Sequence, residues 1–284
     1  MRFNSGQEFI DSANKTIVFI GMSGVGKTFT ANLLPKDQWS RYSVDYHIGA
    51  NYLYQDIAEN FTDKAGDKAY IDDLVSHGSI DSEGKPLIAI DNIYAVSAYL
   101  GMLGDSAQGG LSEDEFRLRL AKHNDAEISA MIGLVKAKST EPEMNLVIDP
   151  SGSLCEIIDF DNADDSVIKM LEDNCTVIYI HSDETHLDVL AQRQKRDPKP
   201  LFYRPDFLDK HLPELPKELM VDSLSSARPS DVASSLFPRL LRERKQRYEK
   251  LADKIGYTIN MDESFQLKSE DDLMVAIAKA IDSK

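Results

Sequence analysis

The stretch that decides the fold is Thr16-Ile17-Val18-Phe19-Ile20-Gly21-Met22-Ser23-Gly24-Val25-Gly26-Lys27-Thr28-Phe29. Its first five residues form an apolar run rich in β-branched and aromatic side chains, the pattern of a buried strand. The next eight match G-x-x-x-x-G-K-[ST] at every fixed position. Thr28 to Leu34 then reads as a helix that Pro35 stops. Glycines at these places let backbone N–H groups close around phosphate oxygens, where a side chain would block the approach. The helix N-terminus adds the positive end of its dipole. The stretch therefore predicts binding of a nucleoside triphosphate by Gly21, Met22, Ser23, Gly24, Val25, Gly26, Lys27, Thr28 and Phe29. Lys27 is expected to reach the β/γ-phosphates and Thr28 to ligate Mg²⁺.

The rest of the composition narrows the class. A chain of 284 residues is long enough for one large α/β domain, or for a domain with a sizeable insertion. A formal net charge of −16 argues against general nucleic-acid binding, because phosphate backbones would be repelled. Cys155 and Cys175 are too few for a disulfide framework, which fits a reducing compartment. Met1 to Ile10 lacks the apolar core of a signal peptide, and no stretch approaches the ~18 continuous apolar residues of a membrane span. A soluble, cytoplasmic protein is expected.

Outward from the opening stretch, strands and helices alternate. Residues 1–15 read as an amphipathic lead-in packed through Phe9 and Ile10. Trp39 to Val44 reads as a second strand ending at Asp45, and Asn51 to Phe61 as a helix. Thr62 to Gly84 is polar and turn-rich, Leu87 to Leu103 reads as a buried helix, and Gly104 to Gly110 as a mobile loop. Ser112 opens a charged helix that runs to Ile132 or beyond. Asn145 to Asp149 and Cys175 to Ile180 read as strands, with Thr185 to Arg196 the helix after the second. Residues 197–217 are Pro-rich. Pro238 to Ile255 is read as a long helix, Tyr257 to Asn260 as a final strand, and Ser269 as the cap of a last helix. Alternating strands and helices predict a parallel sheet flanked by helices.

Several residues outside the loop could carry chemistry. Asp45, just past the second strand, could accept a proton from a substrate hydroxyl or help hold Mg²⁺; it could equally cap a turn. Asp149 ends a run of apolar residues at a strand end, where an acid neighbours the Thr28 hydroxyl and orients Mg²⁺. Ile88-Ala89-Ile90-Asp91 has the same short pattern but falls within the helical stretch. Ser151-Gly152-Ser153 offers small residues and backbone donors near Asp149, or an ordinary strand-exit turn. Arg193, Lys195, Arg196, Lys199 and Arg204 place five cations in twelve positions of an acidic chain. They read as a closing lid over transferring phosphates, or as a solvated basic face. On the long helix, Arg244 shares the apolar stripe of Leu236, Leu240, Tyr248, Leu251 and Ile255, so it needs an anion. A substrate carboxylate or phosphate could supply it, and so could an internal salt bridge. Arg239, Arg242, Arg247 and Lys250 are expected to face water, and His181 and His186 to be structural or superficial.

With these residues in hand, the chain resembles shikimate kinase and its P-loop kinase relatives. The resemblance rests on the strand–loop–helix at 16–34 and on Asp45-Tyr46-His47-Ile48, similar to that family's D-x-x-I with its catalytic carboxylate. It extends over Val177 to Phe202, where Lys199-Pro200-Leu201-Phe202 resembles the lid motif R-P-L-L. It also covers Arg244 to Asp253, similar to the segment whose arginine binds the substrate carboxylate. Phe116-Arg117 is similar to the family's other substrate-binding arginine. Here Ser43 stands where the family has a first acid, and Asp149 to Ser153 where it has three glycines. Tyr42 to Tyr46 and Gly152 to Glu156 are also similar to a group of bacterial proteins described only as ATPases.

The expectation is thus a single P-loop kinase-like domain over 1–284. Its α/β fold is of P-loop NTPase type, a five-stranded parallel sheet in kinase-type order with helices on both faces. A helical insertion at about 55–110 would serve as substrate site or lid. ATP and Mg²⁺ are the expected ligands, and the γ-phosphoryl goes to a hydroxyl of a small, anionic metabolite. Lys27, Asp45, Arg193 and Arg196 are the catalytic set, Thr28 and Asp149 the metal ligands, and Asp45, Arg117, Gly152 and Arg244 the acceptor site. The competing readings are a nucleoside or nucleotide kinase, and an ATP-hydrolysing regulatory switch with a protein partner.

Overall fold

The computed structural model describes residues 2–140 and 143–284. It is an α/β structure built on one five-stranded, all-parallel sheet with strand order β2-β3-β1-β4-β5. The strands are β1 (Thr16–Ile20), β2 (Trp39–Ser43), β3 (Asn145–Asp149), β4 (Thr176–His181) and β5 (Gly256–Asn260). β1 is central, pairing with β3 on one side and β4 on the other. Every β1 residue is buried, as are the first five of β4. Successive side chains point to opposite faces, so both faces of the central sheet are covered. That explains why these strands carry unbroken apolar runs and not alternating ones.

The chain divides into two compact units. The first comprises Met1–Val44, Met131–Leu190 and Leu241–Lys284, and the second Asp45–Ala130 and Ala191–Leu240. The whole sheet lies in the first unit. There the helix Gly6–Asp11, capped by the Ser5 hydroxyl, packs on the last helix Glu270–Asp282. The Gly6 N–H donates to Asp282 Oδ1 at 2.7 Å. Phe9 is fully buried, but Ile10 is exposed, contrary to the expectation that both pack. On a six-residue helix with one covered side, adjacent residues cannot share that side.

The second unit is helical. Its helices include Tyr54–Asp63, Lys68–Ser76, Tyr94–Leu100 and Pro205–His211, with the first part of Glu113–Thr140. Arg119, a buried residue on the last of these, ties three of them together, and Asn60 adds a fourth. Arg119 donates to Glu115 Oε1 at 2.6 Å, to the Tyr99 carbonyl and to Asn60 Oδ1 at 2.9 Å. The Asn60 amide in turn donates to Tyr70 Oη at 2.8 Å. Burial pushes the Tyr70 phenol up to about 12, so it stays neutral.

Several boundaries depart from sequence expectation, each for a local reason. Leu87 to Leu103 is not one helix: only Tyr94–Leu100 is helical, and Leu87 and Ile90 are exposed. Ala89 and Asn92 exchange backbone hydrogen bonds at 3.0 Å, and the Asn92 side chain accepts from the Tyr94 N–H at 3.2 Å. That turn competes with the helix and starts it late. The turn-rich reading of 62–84 missed the helix Lys68–Ser76, whose start is capped by Asp67. The long helix begins at Pro229, so Pro238 lies inside it and leaves the Ser234 carbonyl without its usual donor. The segment 104–110 holds a short 3₁₀ turn, Ser106–Gln108, capped by Asp105. β2 ends at Ser43, and a short helix, Val44–His47, follows directly.

Both cysteines are buried thiols of the first unit, and neither is in a disulfide. Burial pushes Cys175 up to about 12 and raises Cys155 as well, so neither offers a thiolate near neutrality. A disulfide thiol reagent at about pH 8 is therefore expected to leave the native protein unmodified. In denaturant it should titrate both thiols. Rapid modification of either in the native state would contradict this packing.

Candidate functional site

The Gly21–Thr28 loop leaves the carboxyl end of β1 and enters the helix Lys27–Ala31. Its geometry needs glycine. Gly21, Gly24 and Gly26 have φ of 139°, 77° and 96°. A Cβ on Gly21 would sit 2.7 Å from the Ile180 carbonyl oxygen, and one on Gly26 would press at 3.1 Å on the Phe265 ring. A larger residue at either place would be strained twice, by its dihedral and by its neighbour. Met22 and Val25 are buried and anchor the loop, whereas Ser23 and Gly24 are exposed. Lys27 Nζ donates to the Gly21 and Met22 carbonyls at 2.9 and 3.0 Å.

The carboxyl end of β3 lies beside this loop. Thr28 Oγ1 donates to Asp149 Oδ2 at 3.3 Å, so the two expected metal ligands are together. The same Oδ2 is ion-paired with Arg41 on β2. Arg41 was missed in the sequence, although an arginine within a strand of a two-face-covered sheet was itself a signal. Its Nη1 also donates to Asn32 Oδ1 at 3.4 Å. The donor set is chemically suited to Mg²⁺, which takes few protein oxygens and completes its shell with phosphates and water. Among the described residues no cluster of three or more His, Cys, Asp or Glu could form an all-protein metal cage.

Two further groups flank the loop. His186, on the helix Glu184–Arg196, approaches the Ser23 carbonyl with Nε2 at 3.0 Å, so it supports the loop and is not merely superficial. Asp183 accepts the His186 N–H at 3.1 Å and fixes that helix start. Phe29 and Phe265 form a ring pair with centroids 5.6 Å apart. They are 42% and 47% exposed, which leaves a wet aromatic face next to the phosphate-sized loop.

Beyond β3, the turn at 151–153 is built on Arg244. The Arg244 side chain points inward, as its position on the stripe requires, and its anion is internal. Nε donates to Glu156 Oε1 at 2.8 Å and Nη1 to the Gly152 carbonyl at 3.2 Å. Tyr248 Oη donates to that same carbonyl at 3.1 Å. A Cβ on Gly152 would meet nothing within 4 Å, so the glycine is not sterically required. Arg247, expected to face water, instead donates to the Cys155 carbonyl at 2.8 Å and to that of Ile158, beneath the Phe160 ring. Arg239 likewise pairs with Glu218 at 2.5 Å. Carbonyls turned outward by irregular loops attract arginines in ways that helical periodicity alone does not reveal.

The remaining expected site residues belong to the second unit. Asp45 stands in the first turn of the helix Val44–His47, two residues past β2. Arg193 and Arg196 are exposed at the end of the helix Glu184–Arg196. Lys199 pairs with Asp197 at 3.3 Å, and Arg204 with Asp206 at 2.9 Å. Arg117 is shared between Glu113 at 2.9 Å and Asp209 at 3.0 Å. Asp91 is exposed on the turn that precedes Tyr94–Leu100.

Comparison of this chain with protein-family models, with curated proteins and with solved structures finds no match.

The Arg244–Glu156 pair is almost fully removed from water, with side chains 9% and 1% exposed. Removing one partner strands a buried charge, so Arg244→Met should cost about 3–5 kcal/mol in equilibrium urea unfolding. Arg244→Met combined with Glu156→Leu should recover most of that loss. A single variant as stable as the parent protein would show that the pair remains hydrated.

Proposed function

We propose that this chain is an ATP-binding phosphotransferase of the P-loop kinase type, passing the γ-phosphoryl to a hydroxyl of a small acceptor. The observation that carries the reading is the contact of Thr28 with Asp149 at 3.3 Å, below a glycine loop set between the central strand and a helix. A nucleotide-loop motif arising by chance would have no reason to meet an acid from the neighbouring strand. The strand order β2-β3-β1-β4-β5, with the loop after β1, supports the same fold.

In this reading the loop N–H groups and the N-terminus of Lys27–Ala31 bind the phosphates. Lys27 exchanges its two carbonyl partners for phosphate oxygens, a charge-assisted bond that is stronger than either. Thr28 and Asp149 hold Mg²⁺, which when bound neutralises charge on the β- and γ-phosphates. To do so Asp149 would have to divide its carboxylate between Arg41 and the metal. Phe29 and Phe265 offer their exposed ring faces to the base, and the His186 contact stiffens the loop at Ser23. Asp45 is assigned as the group that orients or deprotonates the acceptor hydroxyl, and Arg193 and Arg196 supply cations to the transferring phosphates. Two buried cysteines outside any disulfide suit the cytoplasm as the working compartment. No described helix is long and apolar enough to cross a membrane.

The direct test is transfer of labelled γ-phosphate from ATP into a fractionated small-metabolite extract. The intact protein should produce a labelled small molecule, and Lys27→Ala and Asp45→Asn should not. Asp45→Asn should keep ATP affinity, because its role is with the acceptor. Release of free phosphate alone, unchanged in Asp45→Asn, would instead identify an ATP-hydrolysing switch.

The Arg41 contact gives a second expectation. Replacing Arg41 with Met removes a competitor for Asp149, so Mn²⁺ should bind the nucleotide complex about fivefold more tightly, the equivalent of an ion pair worth about 1 kcal/mol. Electron paramagnetic resonance of free Mn²⁺ reads this without turnover. Weaker Mn²⁺ binding in the variant would place Arg41 among the groups that hold the metal complex and not among its competitors.

A further inference from the structure

The second unit contains a half-open cavity of about 370 Å³ that the phosphate chemistry does not use. That is within the range of small-molecule pockets. Its walls are apolar: Leu120, Phe202, Tyr203 and Leu208, all buried, with Ala121 and Pro205 toward the mouth. The aromatic wall is braced from behind. Tyr203 packs against Phe116 at 6.1 Å and stacks on Phe207 at 5.6 Å, and Phe202 lies 5.1 Å from the His123 ring. Three polar side chains complete the lining, Arg117, Asn124 and Asp125.

Charge decides what such a cavity accepts. Arg117 would at first suggest an anion, but its guanidinium is already held by Glu113 through Nε and by Asp209 through Nη1. An incoming carboxylate or phosphate would lie against those two acids and displace one of them. Asp125 is exposed and adds a third carboxylate, which accepts from the Asn124 amide at 3.4 Å. Two cations close by in sequence do not redress the balance, since Lys122 is paired with Asp56 and Arg204 with Asp206. Among the described residues, the lining cation Arg117 is thus outweighed by its two partners Glu113 and Asp209 together with the lining acid Asp125. Phe202 and Tyr203 add aromatic rings to the lining, and a π system also favours positive charge.

We propose that this cavity is a binding site for a small organic cation, an ammonium group on an aromatic or branched apolar body. The body fills the Leu120–Phe202–Tyr203–Leu208 wall, and the ammonium meets the Asp125 carboxylate at the rim. The proposal is independent of the nucleotide site and would stand if that reading failed.

The test uses two probes with the same ring and opposite charge, tryptamine and indole-3-propionate, titrated calorimetrically into the full-length protein. Tryptamine should bind in the micromolar to millimolar range and indole-3-propionate at least about tenfold more weakly. Asp125→Asn keeps the volume and should weaken tryptamine about fivefold, as expected for loss of one charge-assisted contact at a wet rim. Ala121→Trp places a large side chain over the mouth from an exposed helix position and should abolish binding, with the urea midpoint showing that the fold is kept. Equal or tighter binding of the acid would overturn the charge assignment. No tryptamine binding, or binding indifferent to both substitutions, would overturn the site.

Discussion

Parallel pairing is the constraint from which the rest of the first unit follows. When all five strands run the same way, every carboxyl end falls on one edge of the sheet, and each following turn starts there. The register Ser43↔Asp149 and Ile20↔Tyr179 therefore brings the Gly21–Thr28 loop, Asp149 and the turn at Gly152 to a common edge. No single residue creates this meeting. Thr28 reaches Asp149 across 121 positions of sequence because β1 and β3 are neighbours in the same direction. The cost is that strands so placed must be covered on both faces, which the unbroken burial of β1 reflects.

A second theme is how the protein uses its arginines. It is an acidic chain, and its inward-pointing guanidiniums are consumed by its own carboxylates and carbonyls. Arg119 joins three helices, Arg244 holds the turn after β3, and Arg247 grips the carbonyls of Cys155 and Ile158. Arg41 differs, since its partner Asp149 is also the partner of Thr28. Buried guanidinium groups of this sort specify an arrangement more than they stabilise it, because desolvation offsets much of the Coulomb attraction. Arg244, which in the sequence could have met a substrate anion, thus serves as an internal fastener.

That explains which parts of the molecule could be read from residues alone. The strand at 16–20, the loop after it and the strand ending at Asp149 follow from local pattern, and all three are present. The inward direction of Arg244 was legible from helical spacing, but its partner Glu156 lies 88 positions away in a three-residue 3₁₀ turn, too short to show a periodicity. Arg41 was hidden for a related reason: its meaning depends on β3 being the neighbour of β2. Leu87 to Leu103 misled because apolar content outweighed one asparagine, whose side chain closes a turn that no hydropathy average registers. Phe265 was illegible until β5 and its following helix placed it against Phe29. Local chemistry was readable, whereas anything that required knowing which strand is next to which was not.

The two units are interleaved along the chain, and that bears on the order in which they can form. Their boundaries fall at 44/45, 130/131, 190/191 and 240/241, all of them inside helices and none in a linker. During synthesis β1 and β2 emerge early but have no partner until β3 appears, more than a hundred residues later, and β5 comes only near the end. The central strand, buried along its whole length in the finished structure, must therefore wait unpaired through the making of 45–130. Such long-range closure is slow and exposes strand edges in the interval. Newly made chains of this protein thus have reason to depend on chaperones, a demand set by topology and not by any weakness of the finished structure.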